Sequence, residues 1–142
     1  MSSIQKNPIN LIKTYVSISY KNMLDQKSLL SRLSKSSIIY KLYQHPALFT
    51  VEDSVKNRGL IMGNHSKNLF LKNKKKQFFL FSCVEDRVVN LKKISKSLNL
   101  GNVSFASKEN LINYLGVMPG SVTPFGLLND MENKVKFYLD SQ

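Results

Sequence analysis

Residues 116–130, Gly116-Val-Met-Pro-Gly-Ser-Val-Thr-Pro-Phe-Gly-Leu-Leu-Asn-Asp130, constrain the fold more than any other stretch of this chain. They hold three of its six glycines and two of its four prolines. Proline fixes φ and removes an amide donor, whereas glycine admits positive φ and close backbone approach. A segment punctuated this way neither continues a helix nor runs as a regular central strand. It makes a loop of defined shape, and such loops present backbone groups to ligands. It also divides the chain, with a helix-like run ending at Leu115 before it and apolar, strand-like runs after it.

The remaining patterning supplies elements for this loop to join. From Gln26, Leu29, Leu30 and Leu33 share one helical face, with Arg32 and Lys35 toward solvent. Ile38-Ile-Tyr-Lys-Leu-Tyr43 alternates as a strand does, and His45-Pro46 ends it, since the residue before proline avoids the helical region. Thr50-Val-Glu-Asp53 reads as an N-cap with an acid three residues on, opening a short helix toward Arg58. Gly59 to Leu71 consists of apolar segments broken by Gly63 and by the polar patch Asn64-His-Ser-Lys-Asn68. Lys72-Asn-Lys-Lys-Lys76 reads as a hairpin turn, with Gln77 to Val84 as the return strand. Asn90 caps a helix through Leu91, Ile94 and Leu98 that Gly101 stops. Val103-Ser-Phe-Ala106 forms a short strand, and Ser107 caps a helix through Leu111, Ile112 and Leu115 that Gly116 ends. Phe125 to Leu128 and Val135 to Leu139 read as two further strands. Hairpins mixed with single helices imply an α+β domain rather than a doubly wound sheet.

Charge narrows the partner. The 142 residues carry a net charge of +12, from 18 lysines and 3 arginines against 9 acids. Between Ser54 and Val84 seven basic residues meet no acidic one. Lysines are hydrated point charges that suit a phosphate backbone, although charge alone does not separate nucleic-acid binding from a base-biased composition. A hydrophobic fraction of 42% suffices for one core at this length. Cys83 is the single cysteine, so no internal disulfide forms and a reducing, cytoplasmic compartment is expected. It falls in the apolar run Phe78-Phe-Leu-Phe-Ser-Cys-Val84 and reads as a buried, inert thiol rather than a nucleophile. Two histidines and one cysteine without close spacing make a poor zinc set. No apolar run approaches the ~20 residues a membrane span needs. Residues 1–25 carry lysines and serines, with no arginine and no acid before Asp25. They fit neither a transit peptide nor a signal peptide and are expected outside the fold, leaving 26–142 as the domain.

Four pieces taken in order carry a resemblance: Gln44-His-Pro-Ala-Leu-Phe-Thr-Val-Glu52, His65-Ser-Lys-Asn-Leu-Phe-Leu71, Val103-Ser-Phe-Ala-Ser107, and Gly116 to Asp130. From about Lys27 to Asp140 the chain resembles the YbaK/prolyl-tRNA editing domain family, whose members hydrolyse mischarged aminoacyl-tRNA. It is most similar to the free-standing branch, called ProXp-ala or PrdX-like, that removes alanine from proline tRNA. The resemblance implies a single domain built on a mixed, largely antiparallel sheet flanked by short helices. It implies an aminoacyl-tRNA deacylase with proline tRNA as substrate, prolyl-tRNA synthetase as a candidate partner, and neither metal nor organic cofactor.

The resemblance also assigns residues. Deacylation breaks the ester between an amino acid and the terminal ribose, so water attacks a carbonyl and an oxyanion needs stabilising. The family's lysine falls on Lys67, whose ammonium is implied to hold the phosphate or ester end of the tRNA. Asn68 is implied to hydrogen-bond the acyl-adenosine, with His65 either a supporting donor or simply structural. The family's Gly-x-x-x-Pro loop falls on Gly120-Ser-Val-Thr-Pro124. Gly120, Ser121 and Pro124 are implied to line the acyl pocket and position the attacking water through backbone groups. Thr50 and Val51 match the pocket wall. Relatives continue past this point through a Phe-His-Pro segment and a last helix, whereas this sequence stops at Gln142. The expectation is therefore a C-terminally truncated domain. The alternative function is a non-catalytic tRNA-binding or synthetase-associated module that retains the fold.

Overall fold

The structure is a computed structural model that describes residues 23–44, 56 and 61–141. Its centre is the hairpin of β1 (Ser66–Asn73) and β2 (Phe78–Val84), antiparallel in a register that sets Ser66 against Val84 and Lys72 against Phe78. The expected turn and return strand are both present. The first six residues of β2, Phe78 to Cys83, are all buried, the near-continuous apolar reading of a strand covered on both faces. Two further strands flank the pair. β3 (Val103–Phe105) lies antiparallel beside β1, and β4 (Val135–Leu139) lies parallel beside β2, giving the order β3-β1-β2-β4. The sheet is thus mixed and largely antiparallel, as the resemblance implies.

Strand alternation sorts the core into two layers. On one face Phe70, Phe78, Leu80 and Val135 pack with Leu111 and Leu115, and with Val117, Val122 and Leu127 from the glycine-proline segment. On the other, Leu71, Phe79 and Phe81 pack with Leu100 and with Leu91 and Ile94 of helix α2 (Leu91–Ser97). Fully burying side chains of this size contributes about 1.5–3 kcal/mol each. These two layers therefore fix which loops can reach which end of the sheet.

Helix α1 (Gln26–Lys35) starts where the pattern predicts. Asp25 caps it, its Oδ1 accepting from the Ser28 amide at 2.8 Å, and these Ser28 hydrogen bonds hold the Asp25 carboxyl below its usual range. Leu29, Leu30 and Leu33 are its half-buried positions. The domain's ties begin slightly before it, because the Leu24 amide donates to Asn129 Oδ1 at 2.7 Å. Asn90 caps α2 as expected. Its stop differs: the helix ends at Ser97, and Asn99, at φ +52°, takes the left-handed position assigned to Gly101. Ser107 caps α3 (Lys108–Asn110), which continues into a π-helical turn, Leu111–Leu115, that Gly116 ends at φ +67°.

Two expected strands are absent. Phe125 to Leu128 lies within a 3₁₀ helix, Pro124–Asn129, because Thr123 caps it and Pro124 presets φ for its first turn. Ile38 to Tyr43 forms no strand. It has no ladder partner among the described residues, and its apolar side chains are exposed, Ile39 at 98%. Residues 1–22, His45, Pro46 and the Thr50–Asp53 cap lie outside the described residues. Among the described residues no helix is long and apolar enough to cross a membrane.

Candidate active site

The glycine-proline segment is held in shape at each step. Met118 to Ser121 form a turn closed by the Ser121 amide on the Met118 carbonyl at 3.0 Å, with Pro119 second and Gly120 third at φ +87°. A type II turn asks for this arrangement, since its third position needs positive φ. Thr123 Oγ1 then accepts from the Phe125 amide at 3.3 Å. Gly126 is buried against the π-helical turn, where a Cβ would stand 2.9 Å from both the Cβ and the carbonyl oxygen of Leu115. Only glycine lets the 3₁₀ helix approach so closely. Asn129 Nδ2 donates to the Leu115 carbonyl at 2.9 Å, and the buried Asp130 carboxylate accepts from the Lys134 and Val135 amides at 3.0 and 2.7 Å. The segment's start, middle and end are therefore each tied to the sheet or to its neighbours.

Its link to β1 is Asn68. The Asn68 Nδ2 donates to the Val122 carbonyl at 3.0 Å, and Asn68 Oδ1 accepts from the Ser82 hydroxyl at 2.6 Å. Ser82 faces Asn68 across the ladder and is only 3% exposed. The Val122 carbonyl fixes which end of the amide points at the loop, since an oxygen there would meet another oxygen, and the Ser82 hydroxyl then donates to the other end. Sequence reading missed Ser82. The available signal was a lone hydroxyl in an apolar strand, at the register position of a strand asparagine.

Lys67, the residue before Asn68 on the same strand, takes the opposite face. It pairs with Cys83, and its ammonium donates to the Arg87 carbonyl. Arg87 also pairs through Nε with Asp140 Oδ2 at 2.8 Å, which ties the turn after β2 to the end of β4. Burial pushes the Cys83 thiol up, with the Lys67 charge opposing it, so the thiol stays protonated and inert at neutral pH. A pocket of about 240 Å³ on this face is lined by Leu69, Phe81, Cys83, Ile94, Tyr138 and the Arg87–Asp140 pair among others. None of the predicted site residues lines it, and its wall is mostly apolar, with the Cys83 thiol held protonated and Arg87 and Asp140 engaged with each other.

The predicted residues are thus brought together in part. Asn68 touches the loop that carries Gly120, Ser121 and Pro124; Gly120 and Ser121 are exposed, Pro124 half-buried. Lys67 sits beside them in sequence but across the sheet in side-chain direction. His65 Nε2 donates to the Ile61 carbonyl at 3.2 Å, and the His65 carbonyl accepts from the Glu85 amide at 2.9 Å. Both bonds brace the entrance to β1. Thr50 and Val51 lie outside the described residues. Among the described residues no cluster of histidine, cysteine and carboxylates has the makings of a metal site.

A family model described as "Aminoacyl-tRNA editing domain" matches residues 45–142, which include β1, the loop and β4. The chain belongs to the aminoacyl-tRNA editing domain family. It is 41% identical over 120 residues to "Prolyl-tRNA synthetase associated domain-containing protein 1" of Xenopus laevis, covering 82% of this chain and 71% of that protein. The human protein, whose name adds "Putative", is 40% identical over 113 residues, covering 78% and 66%. "Prolyl-tRNA editing protein ProX" of Acetoanaerobium sticklandii is 31% identical over 120 residues, covering 81% and 71%. The chain spans about two thirds of the human relative's length. In fold it resembles "Crystal structure of hypothetical protein APE2540", with a TM-score of 0.61 at 14% identity over 79% of this chain and 72% of that one.

Proposed function

We propose that the chain is a trans-acting aminoacyl-tRNA deacylase that removes a wrong amino acid, alanine foremost, from proline tRNA. The observation that carries this reading is the Ser82–Asn68–Val122 hydrogen-bond chain, which holds the Gly120 to Pro124 backbone against the strand bearing Lys67. An acylated adenosine seated beside the Asn68–Val122 contact meets backbone groups at Gly120 and Ser121, with no Cβ at Gly120 to keep it away. Water held by these groups attacks the ester carbonyl. The tetrahedral oxyanion collapses, the bond to the ribose oxygen breaks, and that oxygen takes a proton as the amino acid leaves. For Lys67 to take part, its ammonium leaves the Arg87 carbonyl and reaches round the edge of β1, which β3 pairs only from Leu71 to Asn73, to a terminal phosphate or the ester oxygen, where its charge stabilises the developing anion. A small acyl group gains only ~1–3 kcal/mol per methylene from apolar contacts, so selection rests on excluding larger side chains and on the tRNA itself. Prolyl-tRNA synthetase is the candidate partner, and the cytoplasm the compartment.

Deacylation of alanyl- and cysteinyl-tRNA for proline, wild type against Lys67→Ala, tests the reading. The wild type should clear at least one substrate, and Lys67→Ala should slow it by roughly a hundredfold or more, the scale of losing one oxyanion donor. Hydrolysis of neither substrate above the buffer rate sinks the enzyme reading. The placement of Lys67 across the sheet from the loop then favours the second one, a tRNA-binding module without turnover.

A further inference from the structure

The densest run of positive charge lies at the far end of the β1–β2 hairpin from Asn68. Lys74, Lys75 and Lys76 form its turn, and all three are exposed. The turn is firmly held. Asn73 is buried, and its Oδ1 accepts from the Gln77 amide at 3.0 Å. Its Nδ2 donates to Gln77 Oε1 at 2.7 Å and to the Leu100 carbonyl at 2.8 Å. One side chain thus clamps the lysine turn to the loop that leads from α2 into β3. Between the two loops lies a concavity of about 350 Å³ lined by Lys74, Lys75, Gln77, Asn99, Gly101 and Asn102 among others. No carboxylate lines it. Helix α2 runs into the same loop and brings the exposed Lys96 in its last turn. The acids that follow β2, Glu85 and Asp86, stand at the opposite end of the hairpin.

A half-open surface of ammonium and amide groups, with no acid among them, fits an extended polyanion rather than a small enclosed one. Lysines favour phosphate without reading bases, so the contact positions a nucleic acid and does not select its sequence. At ~3.3 Å per strand residue, Lys74 stands roughly 20 Å from Asn68 along β1. A tRNA offers an ester at its end and a phosphate-lined duplex leading away from it. The geometry points to the Lys74–Lys76 hairpin and its asparagine-lined concavity as the surface that holds the phosphodiester backbone of the tRNA duplex leading to the acylated end. The identity of the RNA rests on the deacylase reading; the charge and the clamp do not.

The test uses the full chain with three lysines removed, Lys74→Ala/Lys75→Ala/Lys76→Ala, and a control of equal charge loss elsewhere, Lys27→Ala/Lys35→Ala/Lys136→Ala. Affinity for proline tRNA is measured against salt, and hydrolysis is measured on aminoacylated tRNA and on a short aminoacylated CCA fragment. Three lost phosphate contacts should flatten the slope of log K against log salt by about 2 and weaken binding about tenfold or more at low salt. Hydrolysis of the CCA fragment should stay at the wild-type rate. Equal weakening by the control overturns the proposal, because general charge then suffices, and so does an unchanged slope or wild-type tRNA binding that is absent. If the wild type hydrolyses neither substrate yet loses tRNA with the hairpin lysines, the deacylase reading fails and the surface stands.

Discussion

Two asparagines five residues apart on β1 do the same mechanical job on opposite faces of the sheet, and the loops they hold are built differently. Asn73 clamps the lysine hairpin to the loop before β3, whereas Asn68 holds the glycine-proline loop through Val122. The Asn73 loops present charged and amide side chains, carry no proline, and stand toward open solvent. The Asn68 loop presents backbone, and it needs glycine and proline because a side chain at Gly120 or Gly126 would distort the turn or the packing beneath it. A strand that alternates its faces can therefore serve a chemical site and an electrostatic one from a single hairpin. The difference also shows how firmly each is built, since Asn73 is buried with three hydrogen bonds and Asn68 is half-buried with two.

That asymmetry gives the largest expected effect. Asn73→Ala strands the Leu100 carbonyl and the Gln77 amide together, and an unpaired buried group costs about 1–3 kcal/mol. Asn73→Ala should therefore lower stability in urea by about 2–3 kcal/mol, and Asn68→Ala by about 1–2 kcal/mol. Equal losses, or the reverse order, break the comparison as drawn, because the two clamps would then be equivalent in strength.

How much of this was legible in the sequence follows from the physics of each piece. The hairpin was readable because its turn is a lysine run between apolar strands, both local signals. The helix caps at Asn90 and Ser107 were readable for the same reason, and the start at Gln26 from the spacing of its leucines, since both signals are local. Phe125 to Leu128 was misread, because four residues cannot distinguish periods and the deciding signal was Thr123-Pro124 just before them. Ile38 to Tyr43 alternates as strands do, but a strand needs a partner, and nothing local supplies one. The polar patch from Asn64 to Asn68 was read as a break. It conceals the start of β1 at Ser66, so the opposed directions of Lys67 and Asn68 went unseen. Ser82 depends on register, which only the folded hairpin reveals.

Ser82 offers an intermediate effect that tests whether the two clamps act independently. Ser82→Ala removes the hydroxyl that donates to the Asn68 amide oxygen, and the expected cost is about 1 kcal/mol. Amide hydrogen exchange should quicken across Gly120 to Thr123 and stay unchanged from Leu98 to Asn102. Asn73→Ala should give the converse pattern, since sites without shared partners respond separately. Quickened exchange at both loops in either variant would mean that the sheet transmits the loss, and the two ends would have to be treated as one unit.

The smallest effect concerns a single backbone angle. Lys74, Lys75 and Lys76 make a three-residue hairpin loop, bounded by the Asn73 amide on the Gln77 carbonyl at 3.1 Å, and Lys76 takes the left-handed position at φ +58°. Glycine ordinarily occupies that last position. The glycine-proline loop spends a glycine on its own positive φ at Gly120, whereas the hairpin keeps a lysine and bears the strain. Lys76→Gly should therefore raise stability slightly, by up to about 1 kcal/mol, read as a higher urea midpoint at unchanged m. It should also cost one phosphate contact, flattening the salt slope of tRNA binding by about 0.7–0.9. More stability with weaker tRNA binding would mean that the strain is retained for the charge. More stability with unchanged binding would take Lys76 out of the surface and leave Lys74 and Lys75 to carry it, while lower stability would show that the turn holds Lys76 by contacts other than its charge.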